Sequence, residues 1–185
     1  MNAEINQYLE ILKTIADHLE SRNIPYMVTG SMAMNFYAVP RMTRDIDVVV
    51  ELKSEDVDSL ADLFEKDFYF DKQMAQDEIK KSGMFNIIHN KAIVKVDFII
   101  RKESEYRKLE FNRRRKVSLE NVHFWIVSPE DLILSKLFWA KDSLSEMQLG
   151  DIKNISRTVP KLDQKYIENW VPNLGLADIY RRAKE

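Results

Sequence analysis

The chain has no cysteine. Disulfides, thiolate nucleophiles and thiolate metal sites are therefore excluded, and a reducing cytoplasm is the natural setting. Net charge is nearly absent too: 28 basic against 30 acidic side chains leave −2. Nothing draws the molecule as a whole to nucleic acid or to an anionic membrane, so any basic partner site must be local. No apolar run is long enough to span a bilayer, and the first residues lack the basic start and apolar stretch of a signal peptide. A cytoplasmic protein without a membrane partner is expected. Repeats and low-complexity tracts are missing. His18, His89 and His123 are scattered without metal-binding spacing, and no nucleophilic-serine motif appears. What remains is 185 residues, 45% hydrophobic and 31% charged, which is ordinary globular composition and enough chain to bury a core without staples.

Periodicity divides the chain. Ile5, Leu9, Leu12, Ile15 and Leu19 recur at helical spacing over residues 3–22, and Pro25 follows. Residues 26–29 read as a buried strand ending on Gly30. A helix over 31–39 runs to Pro40, and a valine-rich strand spans 45–51. Ser54, Glu55 and Asp56 open the next helix. Residues 73–81 read as a short helix or a loop. Strands are expected at 84–88 and 92–100, joined by a turn at 89–91, and at 115–118 and 123–127, with a helix over 104–113 between. Ser128-Pro129-Glu130-Asp131 then starts a helix, and helices at 129–141, 144–157, 163–173 and 176–184 dominate the rest. The expected organisation is α+β (α/β): a mixed sheet flanked by helices over 1–127, and a C-terminal helical segment over 128–185 packed on it.

Three carboxylates carry the chemistry. Asp45 and Asp47 are two apart on a strand, so they share a face, with roughly 6–7 Å between their Cα atoms. Ile46, Val48 and Val50 face the other way. Two acids side by side at the start of an apolar strand repel each other and lose water, and bound cations relieve both penalties. Arg41 and Arg44 are close enough to be the alternative answer. Asp97 interrupts the apolar run from Ala92 to Ile100 and needs a partner. Lys95, on the same face, is one candidate. If the 92–100 strand instead lies beside the Asp45 strand, Asp97 joins the other two acids. Such an oxygen cluster suits Mg²⁺ or Mn²⁺, held as a pair about 4 Å apart. Upstream, Gly30 follows a strand and starts a helix, so the backbone can approach an anion and free N–H groups point at it, with the Ser31 hydroxyl alongside.

Val28-Thr29-Gly30-Ser31, then Thr43-Arg44-Asp45-Ile46-Asp47-Val48-Val49, then Val96-Asp97-Phe98 resemble the DNA polymerase β-like nucleotidyltransferase superfamily. The family pattern is strand, Gly-Ser, helix, a strand with Asp-x-Asp, and a third acid on a later strand. Ser128 to Leu137 is similar to the bacterial branch that includes abortive-infection toxins and aminoglycoside nucleotidyltransferases. The long apolar stretch between Ser31 and Asp45 points the same way, toward antibiotic-modifying or toxin-like proteins. The resemblance implies transfer of a nucleoside monophosphate from an NTP to a hydroxyl, with Mg²⁺ or Mn²⁺ and release of pyrophosphate. It implies Asp45 and Asp47 as metal ligands, and Asp97 as third ligand or as the base for the acceptor proton. Gly30 and Ser31 would hold the triphosphate. The acceptor would be a small antibiotic-like molecule, a tRNA end or a protein. The alternative is a non-catalytic nucleotide- or partner-binding module in a toxin–antitoxin pair.

Other residues are read beside that core. The 129–141 helix is apolar nearly all round and should be buried, with Lys136 interrupting it. Lys136 either snorkels outward or reaches the triphosphate, with Asp151 as a possible pairing partner. Arg44, like Arg41, grips phosphate or pairs structurally. The basic residues of 101–116 are either a solvated face or a track for an RNA backbone.

Overall fold

The computed structural model describes residues 3–143 and 145–184, apart from the side chains of residues 3–5 and 142. In chain order its elements are α1 (Ala3–Ser21), β1 (Tyr26–Thr29), α2 (Gly30–Tyr37) and β2 (Asp45–Val50). A single 3₁₀ turn (Ser54–Asp56) leads into α3 (Val57–Phe64), β3 (Phe68–Phe70), α4 (Lys72–Lys81), β4 (Met84–His89) and β5 (Lys95–Ile100). There follow α5 (Glu105–Asn112), β6 (Arg115–Leu119), β7 (Val122–Ile126), α6 (Pro129–Ser143), α7 (Glu146–Thr158), α8 (Gln164–Asn173) and α9 (Ala177–Lys184). The expected start of α7 at residue 144 lies outside the described residues. The strands form one mixed sheet in the order β3-β4-β5-β2-β1-β7-β6. β2 lies parallel to β5 and antiparallel to β1, while β1 lies parallel to β7. This is the α+β architecture with a helical C-terminal segment that the periodicity predicts.

The two faces of the sheet have different jobs because side chains alternate along a strand. Ile46, Val48, Val50, Val96 and Phe98 are buried on one face. Phe98 and Phe64 of α3 meet there with ring centroids 6.1 Å apart, and the apolar stripe of α1 (Leu9, Leu12, Ile15, Leu19) is buried in the same core. The other face carries Asp45, Asp47 and Asp97 beneath α2 and α6. A strong polar network ties α6 down. Asp131 is fully buried, and its carboxylate accepts hydrogen bonds from Ser128 Oγ (2.6 Å), Tyr166 Oη (2.6 Å), Arg113 Nε (2.9 Å) and Tyr106 Oη (3.3 Å). Ser128 Oγ also accepts from the Asp131 N–H at 3.2 Å, so the serine read as a helix start does cap α6.

One open reading is decided and two local features differ from the sequence reading, each for a physical reason. Residues 72–81 are a helix, capped by Asp71 Oδ1 accepting from the Met74 N–H at 2.9 Å. β3 was not expected: its three residues are too few to show an alternation, and it forms by pairing with β4 at the sheet edge. β5 starts at Lys95, not at residue 92. Ile93 adopts φ 53°, and the His89 ring nitrogen Nδ1 accepts the Ala92 N–H at 3.0 Å, so the hairpin turn takes residues that looked extended.

Candidate functional site

Register brings the three acids together. β2 and β5 pair in parallel with Asp47 opposite Asp97 and Asp45 opposite Lys95. Asp97 is thus on the same side of the sheet as Asp45 and Asp47, on the adjoining strand. It is 4% exposed, and its Oδ1 is buried with no hydrogen-bond partner. Its Oδ2 accepts from Lys95 Nζ at 2.7 Å, and the same Nζ is 3.9 Å from Asp45 Oδ2. Both sequence readings of Asp97 therefore hold: it pairs with Lys95 and it joins the other acids. Asp47 shows the cost of the arrangement. Burial, then the charges of Asp45 and Asp97, push its carboxyl up to about 6, against weaker opposing pulls from Lys136 and Lys95.

Gly30 closes one side of this cluster. Its φ of 62° lies in the left-handed region, and a Cβ built on it would sit 1.8 Å from Asp47 Oδ2. Only glycine leaves room for that carboxylate and gives the backbone its turn into α2. Ser31, the second residue of α2, accepts a hydrogen bond on Oγ from Arg41 Nη2 at 2.8 Å. Arg41 is held in a fork by Asp151, with Nε to Oδ1 at 2.8 Å and Nη2 to Oδ2 at 2.7 Å. Asn35 fixes the loop that carries it, donating to the Arg41 carbonyl at 2.8 Å and accepting its N–H at 2.9 Å.

Lys136 does not snorkel. It is 3% exposed, and its Nζ donates to Asp151 Oδ2 at 2.7 Å and to Gln148 Oε1 at 3.1 Å. Burial pushes the Asp151 carboxyl up, but the hydrogen bonds from Arg41 and Lys136 outweigh it and hold the group below its usual range. Asp151 on α7 thus organises two cations from different elements beside Ser31. The sequence offered the Lys136 pairing but not the Arg41 fork. The available signal was an acid among Leu149, Ile152 and Ile155, the residues that α7 turns inward.

Gly30, Ser31, Arg41, Lys136 and the three acids line a cleft of about 670 Å³ that also takes in Thr29, Thr43, Ser135 and the exposed Arg44. Thr43 Oγ1 donates to Asp45 Oδ1 at 3.2 Å. The expectation that α6 is buried all round needs correction. Phe138 and Trp139 are exposed because this end of the helix lines the cleft, near Met42, Met84 and Met147. The basic stretch 101–116 is mostly spent on ion pairs. Arg101 bonds Glu51 and Glu103, Arg107 bonds Glu110 and Ser135, Arg113 bonds Asp131, and Lys116 pairs with Glu20. A run of cations with its own carboxylates is a poor phosphate track.

The donor set fits a hard divalent cation. Asp45, Asp47 and Asp97 offer only carboxylate oxygens, one of them buried without a partner, and burial together with the charges of Asp45 and Asp97 raises the Asp47 carboxyl. Among the described residues, no three His, Asp or Glu side chains already form a ready ion cage. The ammonium of Lys95 stands among the acids instead.

Residues 3–156 match the family described as nucleotidyltransferase of unknown function (DUF6036), and the chain belongs to that family. No curated protein sequence matches the chain. The solved structures that share the fold include the following three. An antigenic nucleotidyltransferase-like protein from Paracoccidioides brasiliensis has a TM-score of 0.61 at 17% identity, covering 95% of this chain and 91% of its own. The resistance factor ANT(2'')-Ia, solved with adenylyl-2''-tobramycin, has a TM-score of 0.57 at 12% identity, covering 95% and 98%. The lincosamide antibiotic adenylyltransferase LnuA, lincomycin-bound, has a TM-score of 0.53 at 14% identity, covering 78% and 94%. Among the described residues, no helix is long and apolar enough to cross a membrane.

Proposed function

Starting from that family, we propose that the chain moves a nucleoside monophosphate from an NTP to a hydroxyl acceptor. The acceptor oxygen attacks the α-phosphorus, the bond to the β-phosphate oxygen breaks, and pyrophosphate leaves. The observation that carries this reading is the register of Asp97 beside Asp47, with Asp97 Oδ1 unpartnered on the face that Gly30 closes. Asp45, Asp47 and Asp97 would hold Mg²⁺ or Mn²⁺, which when bound polarises the phosphoryl oxygens and neutralises charge on the leaving group.

The chain's own groups supply the rest. The start of α2 at Gly30 and the Ser31 hydroxyl cradle the triphosphate. Arg41 and Lys136 turn their cations to it under the control of Asp151, and Arg44 adds a charge from the cleft rim. Asp97 Oδ1 is the atom suited either to complete the metal's ligands or to accept the acceptor proton. The cleft is large enough for a nucleotide and part of an acceptor, and Phe138 and Trp139 offer planar apolar surface to either. The relatives solved with tobramycin and lincomycin products or ligands make antibiotic-like hydroxyl compounds the first acceptors to screen, followed by tRNA ends and proteins.

The test is incubation of the chain with each α-labelled NTP, Mg²⁺ and whole-cell lysate. Label should enter one class of molecule, pyrophosphate should be released, and Asp47→Asn should abolish both. Full labelling by that variant would overturn the reading. Nucleotide binding without turnover on any acceptor would favour the non-catalytic module.

A further inference from the structure

We infer that Lys95 is a resident cation that divides the carboxylate cluster, leaving one place for a divalent ion and competing for the second. The inference rests on the metal-dependent reading above.

Position forces the contact. Lys95 is the register partner of Asp45 and lies two residues before Asp97 on β5. It therefore shares the face of all three acids. The ammonium does not neutralise them evenly. Its ion pairs are with Asp97 Oδ2 at 2.7 Å and Asp45 Oδ2 at 3.9 Å. Asp97 Oδ1 stays buried and unpartnered, and the Asp47 carboxylate, set against the other two acids, fills the space that a Cβ on residue 30 would take. The cluster thus has two halves. One, between Asp45 and Asp97 Oδ2, already holds a positive charge. The other, Asp47 with Asp97 Oδ1, does not.

A divalent ion entering the second half expels no cation. An ion entering the first half must expel Lys95. The lysine can leave, because its side chain is 43% exposed and reaches solvent by rotation about its own flexible stem. The first ion is then bound tightly and the second weakly, with the gap set by the lost lysine contacts. A charged hydrogen bond of this kind corresponds to roughly ten- to hundredfold in an equilibrium constant. Without metal, Lys95 also limits the repulsion that would otherwise open β2 from β5.

The experiment is a Mn²⁺ titration of the full chain without nucleotide, reading free Mn²⁺ by electron paramagnetic resonance, with wild type and Lys95→Met compared. Wild type should bind one ion tightly and a second weakly. Lys95→Met should tighten the second ion by about ten- to hundredfold, and melt earlier in EDTA with recovery on adding Mn²⁺. Two equally tight ions in the wild type overturn the inference, and this arm does not depend on the variant folding. Coincident isotherms for the two proteins overturn it as well. If NTP transfer requires Mg²⁺ but either of those results is found, this inference alone falls. If neither protein binds Mn²⁺, the metal-dependent reading falls with it.

Discussion

Replacing Asp47 by asparagine should make the metal-free protein more stable while destroying its activity. The carboxyl is pushed up from 3.8 to about 6, by burial first and then by Asp45 and Asp97. A group whose folded value is raised favours the fold when protonated. Its contribution is fully present below about 4 and is lost as pH rises through about 6. Two units correspond to about 3 kcal/mol, carried as a cost by the ionised form at neutral pH. Asparagine has a similar shape and no charge, so it escapes that cost. In EDTA at pH 7.5, Asp47→Asn should unfold later than the wild type by up to about 3 kcal/mol, or about 6–12 °C in Tm for a chain of this size. The advantage should shrink on acidification and vanish near pH 4. Saturating Mn²⁺ should erase it from the other side, since an ion at a hundred times its Kd adds about 2.7 kcal/mol to the wild type. Urea unfolding followed by tryptophan fluorescence at several pH values, with and without Mn²⁺, measures all of this. A variant less stable than wild type at pH 7.5 in EDTA, or a gap that ignores pH, would refute the reasoning.

Gly30→Ala should cost about 1–2 kcal/mol from its positive φ alone, and its Cβ must displace Asp47, so transfer should fall by about a hundredfold or more in a protein that still melts cooperatively. Asp151→Asn frees Arg41 and Lys136 from their shared anchor. The KM for NTP should rise about tenfold or more with a smaller change in kcat, and Asp151→Glu should recover part of it; an unchanged KM would remove Asp151 from the site. Asp131→Asn removes the charge and turns one of the two accepting oxygens into a donor in a buried network of two tyrosines, a serine and an arginine. It should cost about 3–5 kcal/mol in urea unfolding, with the residual folded protein keeping its Mn²⁺ affinity.

Much of the site could be read from one sequence because its parts sit at forced positions. Asp45 and Asp47 share a face through strand geometry alone, and Gly30 ends a strand where a helix must begin. Asp97 was legible as an anomaly, an acid in an apolar run, but its neighbour was not: only the parallel pairing of β2 with β5 decides that it meets Asp47. Asp151 was hard to place for the same reason. A carboxylate on α7 reaches Arg41 on a loop between α2 and β2 only after the C-terminal helices dock. The α6 helix misled because its composition says buried throughout, while exposure of Phe138 and Trp139 depends on where the cleft opens. The Ile93 turn was hidden because an isoleucine at positive φ carries no sequence signal of its own.

The central pairing of β2 with β5 has a consequence for biosynthesis. Strands that meet in parallel must be brought together across the intervening chain, here through α3, β3, α4 and β4. Such contacts of high sequence separation are slow to form and are made late. A ribosome that has released only the first ninety or so residues has exposed Asp45 and Asp47 but not their counterpart, and Lys136 and Asp151 emerge later still. The nascent chain therefore cannot assemble this cluster of side chains until residue 151 has emerged. A product truncated after the first ninety or so residues would carry two of the three acids with neither Lys95 nor Lys136 to balance them.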